Sequence, residues 1–206
     1  MAAPLVLDAK TCALVLIDLN NAITKGQGPP YTTPPHREAL VQNCVRLVAH
    51  CRQVGTPVIY TTIYRHPQNI DAPKTLADAG PTGGAPMLAG TPAVEIIEEL
   101  RPQPNDFVLM KPRFSAFYGT NLDGILNALG TETLLVGGIS TQRSVEGTAR
   151  DAKNRDMQCV VVSDCCTAGE LDVHEMTITH VLPLLVRVRT TDEVIAHGPE
   201  FAELLD

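Results

Sequence analysis

A chain of 206 residues, 44% hydrophobic and 19% charged, has the composition of a globular protein with room for one sizeable core. Its net charge of −7 argues against a nucleic-acid or anionic-membrane surface, and no stretch approaches the roughly 20 apolar residues of a membrane span. Six cysteines, Cys12, Cys44, Cys51, Cys159, Cys165 and Cys166, form no CxxC pair or Cys/His zinc pattern. Most lie inside apolar runs, so they read as free buried thiols in a reducing cytoplasm. The N-terminal Met-Ala-Ala-Pro-Leu has no basic region followed by an apolar run, so no secretory signal is expected there.

In chain order, the first apolar run is Ala13–Ile17, followed by an amphipathic helix over about His36–Gln53. On that helix Leu40, Cys44, Leu47, Val48 and Cys51 share a face, and Gly55 supplies the stop. Strand-like runs recur at Pro57–Thr61, Phe107–Met110, Thr133–Gly137, Gln158–Ser163 and Val186–Val188. Between and after them, helices are expected over about Pro92–Leu100, Asn121–Leu129, Ser144–Arg155, Val173–Leu185 and Asp192–His197. Gly26–Pro35 and Ala79–Pro92 are rich in Gly and Pro and read as ordered loops or lids. The strand runs are continuous rather than alternating, as for strands covered on both faces. The pattern predicts an α/β fold: a doubly wound, Rossmann-like, six-stranded parallel sheet with helices on both faces, in one domain spanning 1–206.

Ligands of such sheets bind at the carboxyl ends of strands, near the point where strand order reverses. Three chemically capable residues fall at such ends. Asp18 ends the first strand, Lys111 follows the third and Ser144 follows the fourth. The segment Gly138–Ala152 turns from strand into helix, where backbone N–H groups and the helix dipole can stabilise an oxyanion. If the three ends converge, the lysine favours ionised aspartate, and the aspartate can take a proton from the nucleophile.

The segments that carry these residues resemble the isochorismatase-like cysteine hydrolase superfamily, which includes nicotinamidase, N-carbamoylsarcosine amidohydrolase, ureide hydrolases and isochorismatases. They are LVLIDLNNA around Asp18, GTPVIYT at 55–61, KPRFSAFYGTNL at 111–122, GGISTQRSVEGTARDA at 137–152, VVVSDCC at 160–166 and TTDEVI at 190–195. The resemblance runs from about Cys12 to Ile195. It implies that Asp18 is the general acid/base, that Lys111 is its electrostatic partner, and that Ser144 stands where the nucleophilic cysteine is usual. It further implies a cis peptide at Ile139–Ser140, which would aim the N–H groups of Ser140 and Ser144 at a substrate oxygen. A homo-oligomer, dimer or tetramer, is expected on the same ground.

Serine at 144 leaves three explanations open. The chain is a cysteine hydrolase with a Cys-to-Ser exchange that traps substrate, or a natural serine form with slow or altered chemistry, or it resembles the branch that cleaves a vinyl ether with Asp18 and Lys111 alone. Amide or ureide hydrolysis with an exchanged nucleophile is the favoured reading, and a non-catalytic ligand-binding member is the alternative outside enzymology. His36, His174 and His180 occupy no motif that makes one of them a base, and they read as surface or structural. His66 stands alone where nicotinamidases carry an Asp-x-His pattern, so no metal and no cofactor is expected. Candidate substrate contacts are Asn20, Tyr31, Tyr64, Arg65, Phe117, Tyr118 and Arg143 around a small amide or ureide. For Arg65 and Arg143 a surface ion pair is the competing role, and for Phe117 a place in the core.

Overall fold

In the computed structural model, residues 7–26, 33–74, 77–78 and 87–196 are described. Six parallel strands form one sheet: β1 (Cys12–Ile17), β2 (Val58–Ile63), β3 (Phe107–Lys111), β4 (Thr133–Ile139), β5 (Gln158–Thr167) and β6 (Arg187–Arg189). Their order is β3-β2-β1-β4-β5-β6, so the direction of winding reverses between β1 and β4. In open parallel sheets such a reversal marks the place, at the carboxyl ends of the two central strands, where ligands bind. All six expected strands are present.

Helices cover both faces. On one, α2 (Arg37–Val54) buries Leu40, Cys44, Leu47, Val48 and Cys51 against Leu14, Leu16, Val58 and Tyr60, with Val194 of α6 (Thr191–Ala196) beside them. On the other, α3 (Leu122–Ala128) and α4 (Glu146–Lys153) pack Leu122, Leu126, Ala149 and Ala152 on Ala13, Val15, Ile17, Leu134 and Val136. Each large apolar side chain so buried contributes about 1.5–3 kcal/mol. The stop expected after α2 is Gly55, which takes a left-handed φ of 80° and closes the helix.

Several expected helices differ. Pro92–Leu100 is not an α-helix but two 3-10 turns, Pro92–Val94 and Glu98–Leu100. The backbone between them pairs instead with the chain beyond β1: Asn21 N–H donates to Glu95, and Ile97 N–H donates to Leu19. A short helix absent from the sequence reading, α1 (Asn21–Thr24), fills that place. The late helix is broken into α5 (Leu171–Met176), a π turn at Thr177–Val181 and a 3-10 turn at Leu182–Leu184. Pro183, which has no N–H to donate, sits in the last of these. The helix expected from Ser144 begins as a π turn over Thr141–Val145 before α4 continues it. Much of the segments at 26–35 and 79–92, and all of Tyr31, lies outside the described residues.

The missing crossover helix explains a further departure. β3 is an edge strand whose burial alternates, with Val108 49% and Met110 41% exposed, because no α-helix among the described residues covers that face. At the centre of the sheet the opposite holds. Gly138, at φ 129°, lies so close to β1 that a Cβ there would stand 2.1 Å from the Ile17 carbonyl oxygen. Only glycine permits this approach, which brings the end of β4 against the residue before Asp18.

All six cysteines are buried and free. Burial pushes Cys51 and Cys159 up to about 12 and Cys12 to about 11. Native protein at neutral pH is therefore expected to give almost no reaction with a thiol reagent, and unfolded protein to give six equivalents. Rapid labelling of native protein would contradict this packing.

Candidate active site

Asp18 follows β1 with a left-handed φ of 55°, a conformation that aspartate tolerates better than most residues. Its backbone N–H still bonds to Thr61, extending the β1–β2 ladder by one step, while its side chain collects donors from three elements. Oδ1 accepts the Ile63 N–H at 2.7 Å. Oδ2 accepts the Lys111 ammonium at 2.7 Å and the Ser144 hydroxyl at 3.2 Å. The sequence-predicted trio is thus one hydrogen-bonded cluster.

The cluster is dry. Lys111 is 0%, Asp18 2% and Ser144 4% exposed. Burial pushes the Asp18 carboxyl above its ordinary value, against the pull of the Lys111 ammonium and of the hydrogen bonds from Lys111, Ile63 and Ser144. Lys111 also donates to the Arg113 carbonyl at 3.0 Å, which leaves one of its three N–H donors. A carboxylate, an ammonium and a hydroxyl in this array can move a proton between the residue at 144 and a bound molecule.

The turn bearing Ser144 is held from several sides. The Ile139–Ser140 peptide is cis, and Ile139 is buried against the core. Val145 and Arg143 N–H groups both donate to the Ser140 carbonyl. Thr148, one helical turn on, donates to the Ser144 carbonyl at 2.7 Å and accepts the Ala116 N–H at 2.9 Å. It therefore ties the Ser144 turn to the loop after Lys111. Sequence reading missed Thr148; the signal available was a threonine four residues after Ser144, placed to bond back along its helix. Thr141, fully buried in the same turn, shares a 2.8 Å hydrogen bond with Nδ1 of His174 on α5.

The proposed substrate contacts divide. Asn20 is 0% exposed and committed to the fold: its Oδ1 caps α1 through Ile23 N–H, and its Nδ2 donates to Thr62. Phe117 is a core residue, 5% exposed among Leu122 and Leu126, with the Arg155 guanidinium 4.2 Å from its ring centre. Neither is a pocket wall. Tyr118 is 62% exposed. Tyr64 is half-buried beside Met87 and Val94, and its N–H donates to the Lys111 carbonyl. Arg65 is half-buried at the end of β2, and Arg143 is exposed beside Ser144. His66 lies on an exposed turn, where its ring accepts the Gln68 N–H.

The architecture is thus a six-stranded parallel α/β fold with a buried Asp–Lys–Ser cluster beyond the carboxyl ends of its strands. The particular family follows from comparison: the isochorismatase domain matches residues 12–193, and the chain belongs to the isochorismatase family. It is 32% identical over 196 residues to YecD, an isochorismatase family protein of Escherichia coli O157:H7, covering 92% of this chain and 97% of that protein. The maleamate amidohydrolase of Pseudomonas putida is 32% identical over 171 residues, 81% of this chain and 76% of its own. The ureidoacrylate amidohydrolase RutB of Methylobacterium radiotolerans is 29% identical, covering 86% and 76%. An isochorismatase family protein of Burkholderia thailandensis has the same fold, with a TM-score of 0.82 and 31% identity over 93% of this chain and 97% of its own.

Two measurements test this geometry. Lys111→Met leaves the Asp18 carboxylate buried without its partner and is expected to destabilise the protein by about 3–5 kcal/mol. Adding Asp18→Asn should restore much of that loss in a double-mutant cycle by denaturant unfolding; strict additivity would show that the two side chains do not depend on each other. His174 is held below its ordinary 6.5, first by desolvation and then by nearby His36, with Glu175 opposing. The unfolded chain therefore binds that proton first as pH falls, so stability is present above about 6.5 and lost below it. His174→Asn is expected to flatten this part of the stability profile; an unchanged profile would remove His174 from it.

Proposed function

We propose that this chain is a hydrolase of the C–N bond of a small amide or ureide, acting through Asp18, Lys111 and Ser144. The observation that supports it best is the unbroken hydrogen-bond chain from Lys111 Nζ through Asp18 Oδ2 to Ser144 Oγ in a buried site. Membership of a family whose relatives include maleamate and ureidoacrylate amidohydrolases supports the substrate class.

In this reading Asp18 accepts the proton of the side chain at 144 as its heteroatom attacks the carbonyl carbon. The N–H groups of Ser140 and Ser144 receive the oxyanion, and Lys111 offsets the charge that Asp18 carries. The C–N bond breaks as Asp18 returns the proton to nitrogen, releasing ammonia or a small amine. Water then loses a proton to Asp18 and attacks the acyl group; the bond to the side chain at 144 breaks as Asp18 returns that proton to its heteroatom, and the acid leaves.

Serine makes the first step slow. A hydroxyl is far harder to ionise than a thiol, whose ordinary pKa is about 8.5, and an aspartate is a weak base for it. Serine at the position of the usual cysteine therefore gives a substrate-holding or slow form. A second reading, nucleophile-free cleavage of a vinyl ether, draws on the same burial of Asp18. A carboxyl pushed up by desolvation is a suitable general acid, and that reaction leaves Ser144 idle. We also propose a cytoplasmic protein, in keeping with its free thiols, and assembly as a homodimer or tetramer.

The test is ammonia or product release from amides, ureides and isochorismate by the native chain, Ser144→Cys and Ser144→Ala. The amide or ureide reading expects Ser144→Cys to exceed the native chain by about 10²-fold or more, and Ser144→Ala to be inactive. Equal rates for all three on isochorismate would sink it in favour of the second reading. Tight ligand binding with no turnover by any variant would leave only a binding protein.

A further inference from the structure

Thr120, Thr148, Thr177 and Thr179 each donate a hydroxyl to the carbonyl four residues earlier. For threonine that is an ordinary local bond. Among these residues Thr148 alone also accepts an N–H from a distant element, that of Ala116 in the loop after β3. A hydroxyl has a single hydrogen. Thr148 gives it to the Ser144 carbonyl, so a lone pair faces Ala116. Both residues are fully buried, where an unmatched N–H is costly.

These bonds close a ring. Ser144 Oγ donates to Asp18 Oδ2 at 3.2 Å. Lys111 Nζ donates to the same oxygen at 2.7 Å and to the Arg113 carbonyl at 3.0 Å. A few residues along the loop, Ala116 N–H donates to Thr148 Oγ1 at 2.9 Å, and Thr148 returns to the Ser144 carbonyl at 2.7 Å. Thr120 holds the Ala116 carbonyl at 2.6 Å, so that residue is fixed on both sides. Arg113 and Ala116 contribute main-chain atoms to the ring. Apart from Asp18, Lys111 and Ser144, its one side chain is Thr148. Cutting the ring there loosens the loop whose Arg113 carbonyl holds the Lys111 ammonium, and with it the turn that carries residue 144.

We propose that Thr148 is a positioning residue: its hydroxyl sets where residue 144 stands relative to Asp18 and keeps the Lys111 ammonium beside both. This deepens the hydrolase reading and rests on it only for the reaction that the geometry serves.

A thiol at 144 reports the geometry without any substrate. The six native thiols are buried, so the ultraviolet thiolate absorbance of Ser144→Cys, less that of the native chain, belongs to residue 144. A nearby ammonium favours the thiolate. Adding Thr148→Val, which keeps the shape and removes the hydroxyl, is expected to raise the pH at which that thiolate forms. On an amide or ureide that Ser144→Cys cleaves, it should lower kcat by about tenfold or more with KM within about twofold. Thr148→Ser, which retains the hydroxyl, should return both to the values of Ser144→Cys. If the valine variant does not fold, Thr148→Ala, a better helix former, replaces it. Lower stability with an unmoved titration overturns the proposal, as does Thr148→Ser behaving like valine. Failure of both hydroxyl-free variants to fold also overturns it, since Thr148 then serves folding alone. A raised titration in a chain that cleaves nothing upholds the ring and sinks the hydrolase. Cleavage by Ser144→Cys that Thr148→Val leaves unchanged does the reverse.

Discussion

The site depends on one buried ion pair. Lys111 and Asp18 come from strands separated by β2, and neither charge reaches water. Taking two charges out of solvent is unfavourable unless geometry and extra hydrogen bonds compensate. Here they do: the Ile63 N–H and the Ser144 hydroxyl donate to further carboxylate lone pairs, and the Arg113 carbonyl accepts a second of the three ammonium donors. The same contacts that make the pair tolerable also gather the ends of β1, β2, β3 and β4 into one crevice. Folding the sheet and assembling the site are therefore largely one event.

The order of strands does the rest. β1 and β4 are adjacent and parallel, and the chain leaves β1 toward β2 but β4 toward β5, so the segments after them diverge. Gly138 lets β4 approach β1 where a side chain would collide with the Ile17 carbonyl. The π turn that follows, held by Thr148 and Thr141, then presents residue 144 to Asp18. Serine there is compatible with all of this geometry, because the hydroxyl needs only to reach a carboxylate oxygen. Reactivity is a separate matter from position, since the acidity of the group at 144 decides it.

Much of this was legible in the sequence because it is carried by local pattern. Buried parallel strands announce themselves as continuous apolar runs, and α2 as a five-member stripe ending at Gly55. Asp18, Lys111 and Ser144 could be picked out because each follows such a run. The illegible parts are those set by distant partners. Nothing local in Pro92–Leu100 says that its backbone will pair with Leu19 and Asn21 instead of with itself. Asn20 reads as a polar residue near a site, but the Ile23 N–H and Thr62 claim it. Phe117 and Tyr118 are adjacent aromatics, and only packing decides that one enters the core and the other faces solvent.

The uncovered face of β3 bears on how the protein loses its shape. An edge strand hydrogen-bonded on one side only, with Val108 and Met110 open to water, opens more readily than the central strands. Lys111 is the last residue of that strand. A fluctuation that peels β3 away carries off the ammonium while β1, β4 and β5 stay paired. The free energy that governs integrity of the ion pair is then that of a local opening, smaller than that of global unfolding. The chemistry hangs on an edge strand of the sheet that supports it.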